Sequence, residues 1–223
     1  MKKMVLIPEN LAKEPSLVWR HNPKYPSRRY TIIGIAGTAK NTGKTTTLNC
    51  LLQEASRRNY SVAVTSIGFD GEEIDNVTSL PKPRITVYPN FIVTTSQKCL
   101  NHSTANVEIL HRTGLYTSLG EIVIVRVIQE GLVVIAGPNK TNELRMIVET
   151  MKSYPCDYMF VDGSLNRIVP MTVVDSIIFT TGGARSTDIP ELCNEMLTIE
   201  SLFQFSIIGN DAIDAADTLS VSL

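Results

Sequence analysis

Gly37, Gly43, Lys44 and Thr45 fall together in the nine-residue stretch GTAKNTGKT (37–45). Those residue types in that order suit the capture of a phosphate chain. Glycine lets the backbone turn sharply and lets an anion approach the amides closely. Lys44 supplies a point charge for the outer phosphates, and the Thr45 hydroxyl suits the coordination shell of magnesium. Thr38, Lys40, Asn41 and Thr42 fill the loop between the glycines, and Thr46 follows where it can reach the innermost phosphate. The common spelling of such a loop is G-x-x-x-x-G-K-[ST]. Here Thr38 stands where its first glycine would be, and Gly37 lies one residue earlier.

A loop of this kind needs a strand before it and a helix after it, so that backbone amides and the helix N-terminus converge on one anion. The flanking sequence predicts both. YTIIGIA (30–36) is a short apolar run that reads as a buried strand. Leu48, Leu51, Leu52 and Ala55 then recur at helical spacing, with Arg57, Arg58 and Asn59 suited to a helix end. YSVAVTSIG (60–68) reads as a second strand. Strand, glycine loop, helix and strand make a βαβ unit.

Further along, Leu144, Ile147, Val148 and Met151 share one helix face, CDYMFVDG (156–163) reads as a strand ending in an acid, and VVDSIIFTTGG (173–183) as one ending in glycines. DIPELCNEMLTIESLF (188–203) predicts a helix capped by Asp188, and FSII (205–208) a last strand. This alternation predicts an α/β fold: a mostly parallel sheet with helices on both faces. Residues 84–136 differ in texture. RITVYPNFIVTTS and EIVIVRVIQEGLVVIAG are rich in β-branched residues. They predict an antiparallel insertion with a hairpin turn at Glu130-Gly131, a short helical stretch around 104–112, and a last strand (132–136) that joins the main sheet. Residues 1–29, with Pro8, Pro15, Pro23 and Pro26, predict an irregular extension on a domain spanning 30–223.

Two acids are candidates for metal and water. Asp162 ends the apolar run YMFV, which would hold it rigidly beside the glycine loop. Asp70 follows the second strand in SIGFDGEEID, where ligands gather in such sheets, and Glu72, Glu73 and Asp75 compete with it. Guanine readers commonly carry N-K-x-D. The nearest text, NKTN (139–142), has Asn142 in the acid's place and precedes the Asp162 strand, so ATP is the expected nucleotide. Arg185, in TTGGARS (180–186), is either a base-stacking residue or an ordinary surface arginine.

Bulk properties narrow the setting. With 43% hydrophobic and 19% charged residues over 223 positions, the chain is expected to bury a core without disulfides. A net charge of −1 gives no general pull toward nucleic acid or anionic membrane, although residues 1–30 are locally basic. No apolar run is long enough for a membrane span or secretory leader, so a cytoplasmic protein is expected. The four cysteines form no CxxC pair and are expected to be buried, reduced thiols. Cys99, His102 and His111 could ligate a metal, but zinc sites usually draw on a second close ligand pair.

The loop GTAKNTGKT resembles that of dethiobiotin synthetase and its relatives in the SIMIBI class of P-loop NTPases. VDGSLNRIVPM (161–171) shares the family's acid-glycine pair and its later proline-apolar pair, Pro170-Met171. The similarity covers about residues 30–75 and 130–210. It implies Asp162 as a Mg²⁺ ligand and Asp70 as a magnesium-linked or water-orienting carboxylate. In some members a second loop lysine reaches phosphate across a homodimer. Lys40 is displaced from that position, which leaves a solvated lysine as the other reading. The synthetase's lysine after the second strand is replaced by Thr65 and Ser66, and SLNR (164–167) lacks its substrate-loop glycines, so that synthetase's own reaction is not expected.

GTAKNTGKTTT, GFDGEEID and VDGSLNR also look like the P-loop subunit of the lysine 5,6-aminomutase reactivase. That resemblance implies ATP-driven exchange of damaged cobalamin on an aminomutase partner, together with a second ATPase subunit. Three functions are therefore expected to compete. The first is an ATPase that remodels a protein partner, with Lys44 and Asp70 catalytic and the insertion as the contact. The second is a small-molecule ligase or kinase, with Asn166 and Arg167 reading an anionic substrate. The third is a non-hydrolysing switch.

Overall fold

A computed structural model of the chain describes residues 3–6, 31–39, 41–68, 84–163 and 173–204. The strands are β1 (Lys3–Leu6), β2 (Thr31–Gly37), β3 (Val62–Ser66), β4 (Arg84–Val87), β5 (Ile92–Ser96), β6 (Asn106–Thr117), β7 (Gly120–Gln129), β8 (Gly131–Val134), β9 (Tyr158–Asp162) and β10 (Ser176–Thr180). The helices are α1 (Lys44–Arg57), α2 (Gln97–Leu100), α3 (Thr141–Met151) and α4 (Ile189–Gln204).

Eight strands form one sheet in the order β1-β10-β2-β9-β3-β5-β7-β6. From β1 to β5 every neighbour is parallel, and β7 and β6 extend the sheet antiparallel. The fold is thus α/β with a mostly parallel central sheet. Alternation along the strands sorts side chains to two faces. Ile33, Ile35, Val62, Val64 and Phe160 pack with Leu48, Leu51, Leu52 and Ala55 of α1. Ile32, Ala63, Met159 and Val161 pack with Leu144, Ile147, Val148 and Met151 of α3. These are the helical faces that the apolar spacing predicts. Asp188 also caps α4 as expected, its Oδ1 accepting the Glu191 amide at 3.1 Å.

The structure departs from expectation in four ways, three of them in the β-rich segment. First, β5 is a parallel strand of the main sheet, whereas β8 leaves that sheet and pairs antiparallel with β4. This ribbon brings Ile85, Val87 and Val133 into the core beside α1. Second, Glu130-Gly131 is no hairpin turn, because β7 and β8 do not pair. Gly131 instead allows a close crossing: a Cβ there would fall 2.3 Å from the Ala105 amide nitrogen. The hairpin lies between β6 and β7, and Gly120 takes the left-handed φ of 92° at its exit.

Third, the stretch around 104–112 is strand, not helix. Bulges between Asn106 and Val107 and between Ile109 and His111 place the half-buried Val107, Leu110 and Thr113 three residues apart, which imitates helical spacing. Fourth, residues 3–6 are ordered into the sheet edge beside β10, although they were expected in an irregular extension. The expected strand at 205–208 lies outside the described residues. Among the described residues, no helix is long and apolar enough to cross a membrane.

Leu144 and Met146 offer a test of the packing on one helix. Leu144 is fully buried, whereas Met146 is 57% exposed. In urea unfolding, Leu144→Ala should cost about 2–5 kcal/mol. Met146→Ala should stay within about 0.5 kcal/mol.

Candidate functional site: a glycine loop, a helix start and a buried acid

The glycine loop leaves the carboxyl end of β2 and runs into α1. Gly37 is buried, and a Cβ there would lie 2.5 Å from Thr42 Oγ1 and 3.0 Å from both Lys44 Cγ and Thr180 Oγ1. Only glycine allows the loop to close this tightly. Thr42 donates its hydroxyl to the Ala39 carbonyl at 2.7 Å, folding the loop on itself. Asn41 and Gly43 have φ of 60° and 94°, so the chain turns twice through the left-handed region before the helix. Such turns point successive amides to one side, as anion-binding nests do.

Helix α1 begins without a side-chain cap and without an acid in its first turn. Its first amides thus keep their donors and the partial positive charge of the helix start. Lys44 and Thr45 stand at that start, both half-buried, and Thr46 is exposed. The opposite wall is β10. The Thr38 amide donates to the Thr180 carbonyl at 3.0 Å, and the Thr38 and Thr181 hydroxyls are 2.8 Å apart. The sequence reading missed Thr180 and Thr181 as a brace. Two hydroxyl residues at a strand end were the available signal, but which strand neighbours β2 is a tertiary fact.

Asp162 ends β9, between β2 and β3, in register with Ile35 on one side and Ser66 on the other. Its carbonyl accepts the Ile67 amide at 3.0 Å, and the next amide, Gly163, donates to Ile35 at 2.8 Å. Alternation places its side chain on the α1 face with Phe160. Oδ1 is fully buried and has no hydrogen-bond partner among the described residues. Burial pushes the carboxyl up to about 6, and the nearby Lys44 ammonium partly offsets that. An unpaired, desolvated carboxylate oxygen beside a lysine suits a hard cation or a bound water.

The remaining candidates separate from this cluster. Lys40, Asp70, Glu72, Glu73, Asp75, Asn166, Arg167, Pro170 and Met171 lie outside the described residues. Arg185 sits in the turn after β10, with its guanidinium forked onto Glu195 of α4 at 2.8 and 3.0 Å. Its side chain is therefore committed to α4. Among the described residues, no group of three or more His, Cys, Asp or Glu is placed to hold a metal, Cys99 and the nearby histidines included. Cys99 and Cys156 are buried, and desolvation raises both thiols, Cys156 to about 11. Cys50 and Cys193 are exposed, contrary to expectation. Each lies on the outer side of an amphipathic helix, where composition carries no signal.

Compared with protein-family models, with curated proteins and with solved structures, the chain finds no match.

The Asp162 environment predicts a stability cost that the site imposes on the fold. Its carboxyl titrates near 6 in the folded chain against an ordinary 3.8. The folded state therefore binds the proton more tightly, and stability falls as pH rises from about 4 through 6. The penalty above that range is on the order of 3 kcal/mol. In metal-free, nucleotide-free protein, Asp162→Asn should raise stability at pH 7.5, and the advantage should vanish below about pH 4. Chemical denaturation at the two pH values measures this; equal stabilities at pH 7.5 would contradict the buried, unpaired carboxylate.

Proposed function

We propose that the chain is a P-loop NTPase of the SIMIBI type that binds Mg-ATP and couples its hydrolysis to the remodelling of a partner protein. The observation that carries this reading is the Asp162 oxygen, buried and without a partner among the described residues, near Lys44 at the mouth of an uncapped helix and a glycine loop. A surface loop that merely turned the chain would have no use for a desolvated acid on the adjacent strand.

The residues present fit the expected cation. Thr45 and Asp162 would hold Mg²⁺, which supplies charge neutralisation at the phosphate oxygens when bound. The loop amides from Thr38 to Gly43 and the first amides of α1 would cradle the phosphate chain. Lys44 would balance charge on the outermost phosphate as the bond to it breaks. Asp70 is the proposed water-positioning group on the sequence reading alone. ATP is preferred over GTP because the guanine-reading tetrapeptide is lacking.

Coupling to a partner has a structural route. The loop that leaves the β4–β8 ribbon crosses the end of β3, next to Asp162. A Cβ at Gly137 would fall 1.7 Å from the Ser66 carbonyl oxygen, so the two backbones touch. The Gly68 amide donates to the Pro138 carbonyl at 2.7 Å, and the Ala136 amide to Thr94 at 3.2 Å. The β-rich segment is thereby tied to the end of β3, the strand that pairs with the one holding Asp162. Together with the resemblance in the phosphate loop, this favours a reactivase-type ATPase acting on a cobalamin-dependent aminomutase with a second ATPase subunit. An ATP-dependent ligase or kinase is the second reading; the cleft beside the loop would seat its acceptor, and its uncharged lining favours a neutral one over the anion expected from Asn166 and Arg167.

Lys44→Ala should reduce Mg-ATP affinity by at least about 100-fold, as expected when a phosphate loses its paired charge. Calorimetry with Mg-ATP and Mg-GTP tests both the site and the base preference. Retained micromolar binding in the variant would end the assignment. Turnover measured with and without a cobalamin-dependent aminomutase separates the readings. Stimulation by the protein supports remodelling, stimulation by a metabolite alone supports the ligase, and binding without turnover under either supports a switch.

A further inference from the structure

A cleft of about 350 Å³ opens beside the phosphate loop, between the outer side of α1 and the chain at Thr86 and Tyr88. It begins at Thr45 and Thr46 and reaches Gln53, about 10 Å along the helix. Among the described residues, none that lines it carries a formal charge. Asn49 is fixed in its wall, because the Thr86 amide donates to Asn49 Oδ1 at 3.0 Å. That bond leaves both protons of Nδ2 without a partner among the described residues. The Gln53 carboxamide is exposed one turn further on and is likewise uncommitted among them. Tyr88 forms the facing side, its ring held edge-on by Phe91 with centroids 5.7 Å apart. Desolvation, and then Glu130, keep its hydroxyl protonated as a donor.

The lining is rich in donors and uncharged, so an ion gains no paired counter-charge from it, whereas a neutral carbonyl can accept its amide and hydroxyl protons. It suits carbonyl oxygens flanked by a flat surface. We propose that this cleft is a binding subsite for an uncharged, carbonyl-bearing small molecule of the carboxamide or urea class, seated directly beside the phosphate loop. The proposal rests on the phosphate-site reading for its role as an acceptor or effector position, but not for the binding itself. Asn49 and Gln53 donate to the ligand's carbonyl, and Tyr88 supplies the planar wall.

The test uses the full chain and three neutral amides, acetamide, benzamide and nicotinamide, with nicotinate as the charged counterpart. Amide binding should produce saturable shifts of the Asn49 and Gln53 side-chain NH₂ resonances and should slow alkylation of the exposed Cys50 thiol in the same cleft. Nicotinamide should bind and nicotinate should not. Gln53→Leu removes an exposed donor without touching the Asn49 tie, and should weaken the best amide about tenfold. No saturable shift with any amide, equal binding of nicotinate, or undiminished binding by Gln53→Leu overturns the subsite. Mg-ATP titrated into the same samples reports on the other reading. Intact Mg-ATP binding without amide binding removes the cleft alone, and amide binding without Mg-ATP binding removes the phosphate site alone.

Discussion

The structure is organised around one unfavourable group, the Asp162 carboxylate. It is set at the end of a strand buried on both faces, and one oxygen is sealed from solvent with nothing to bond to among the described residues. Such a position costs stability, because burial disfavours the ionised form and Lys44 offsets only part of that cost. The surrounding fold supplies what the acid lacks. Backbone hydrogen bonds donated by the Ile67 amide to its carbonyl and by the Gly163 amide to Ile35 fix it on both sides, so it cannot escape by a shift of the strand. The glycine loop and the start of α1 then present uncommitted donors toward the same end of the sheet. Opposed potentials of this kind, held apart in one rigid frame, are what a metal and a phosphate chain would reconcile.

The β-rich segment changes how that frame is supported. A parallel α/β sheet is ordinarily covered by helices on each face. Here the β4–β8 ribbon takes part of the helix layer beside α1, and β6 and β7 carry the sheet outward. Its return to the main fold passes through Gly137, where two backbones meet without a side chain between them. Contacts that admit no intervening atom transmit displacement well, because neither partner can yield by turning a rotamer. In the proposed remodelling activity, this contact would link the segment to β3, which pairs in register with the strand that carries the acid. The edge strand β6 is itself bulged repeatedly, which discourages pairing with another chain's edge.

The sequence alone determined the local grammar. Leu48, Leu51, Leu52 and Ala55 of α1, and Leu144, Ile147, Val148 and Met151 of α3, are buried as their spacing demands, because a helix surrounded by water and a sheet must sort its faces by hydrophobicity. The glycine loop was legible because it is continuous: its glycines, lysine and threonine are neighbours in the chain, so spacing encodes their geometry. Asp162 was legible for a similar reason, as the acid that terminates a buried strand.

Tertiary structure decided everything that depends on which strand lies beside which. β-branched runs in 84–136 announce strands but carry no address. Register and partner are set by pairing across the sheet, and bulges in β6 disguised its period. The roles of Thr180, Thr181 and Gly137, and the commitment of Arg185 to Glu195, arise from contacts between residues distant in the chain. The isolation of the Asp162 oxygen belongs to the same class. Hydrophobic patterning fixes which way a side chain faces, but only the packed neighbours determine whether it finds a partner there.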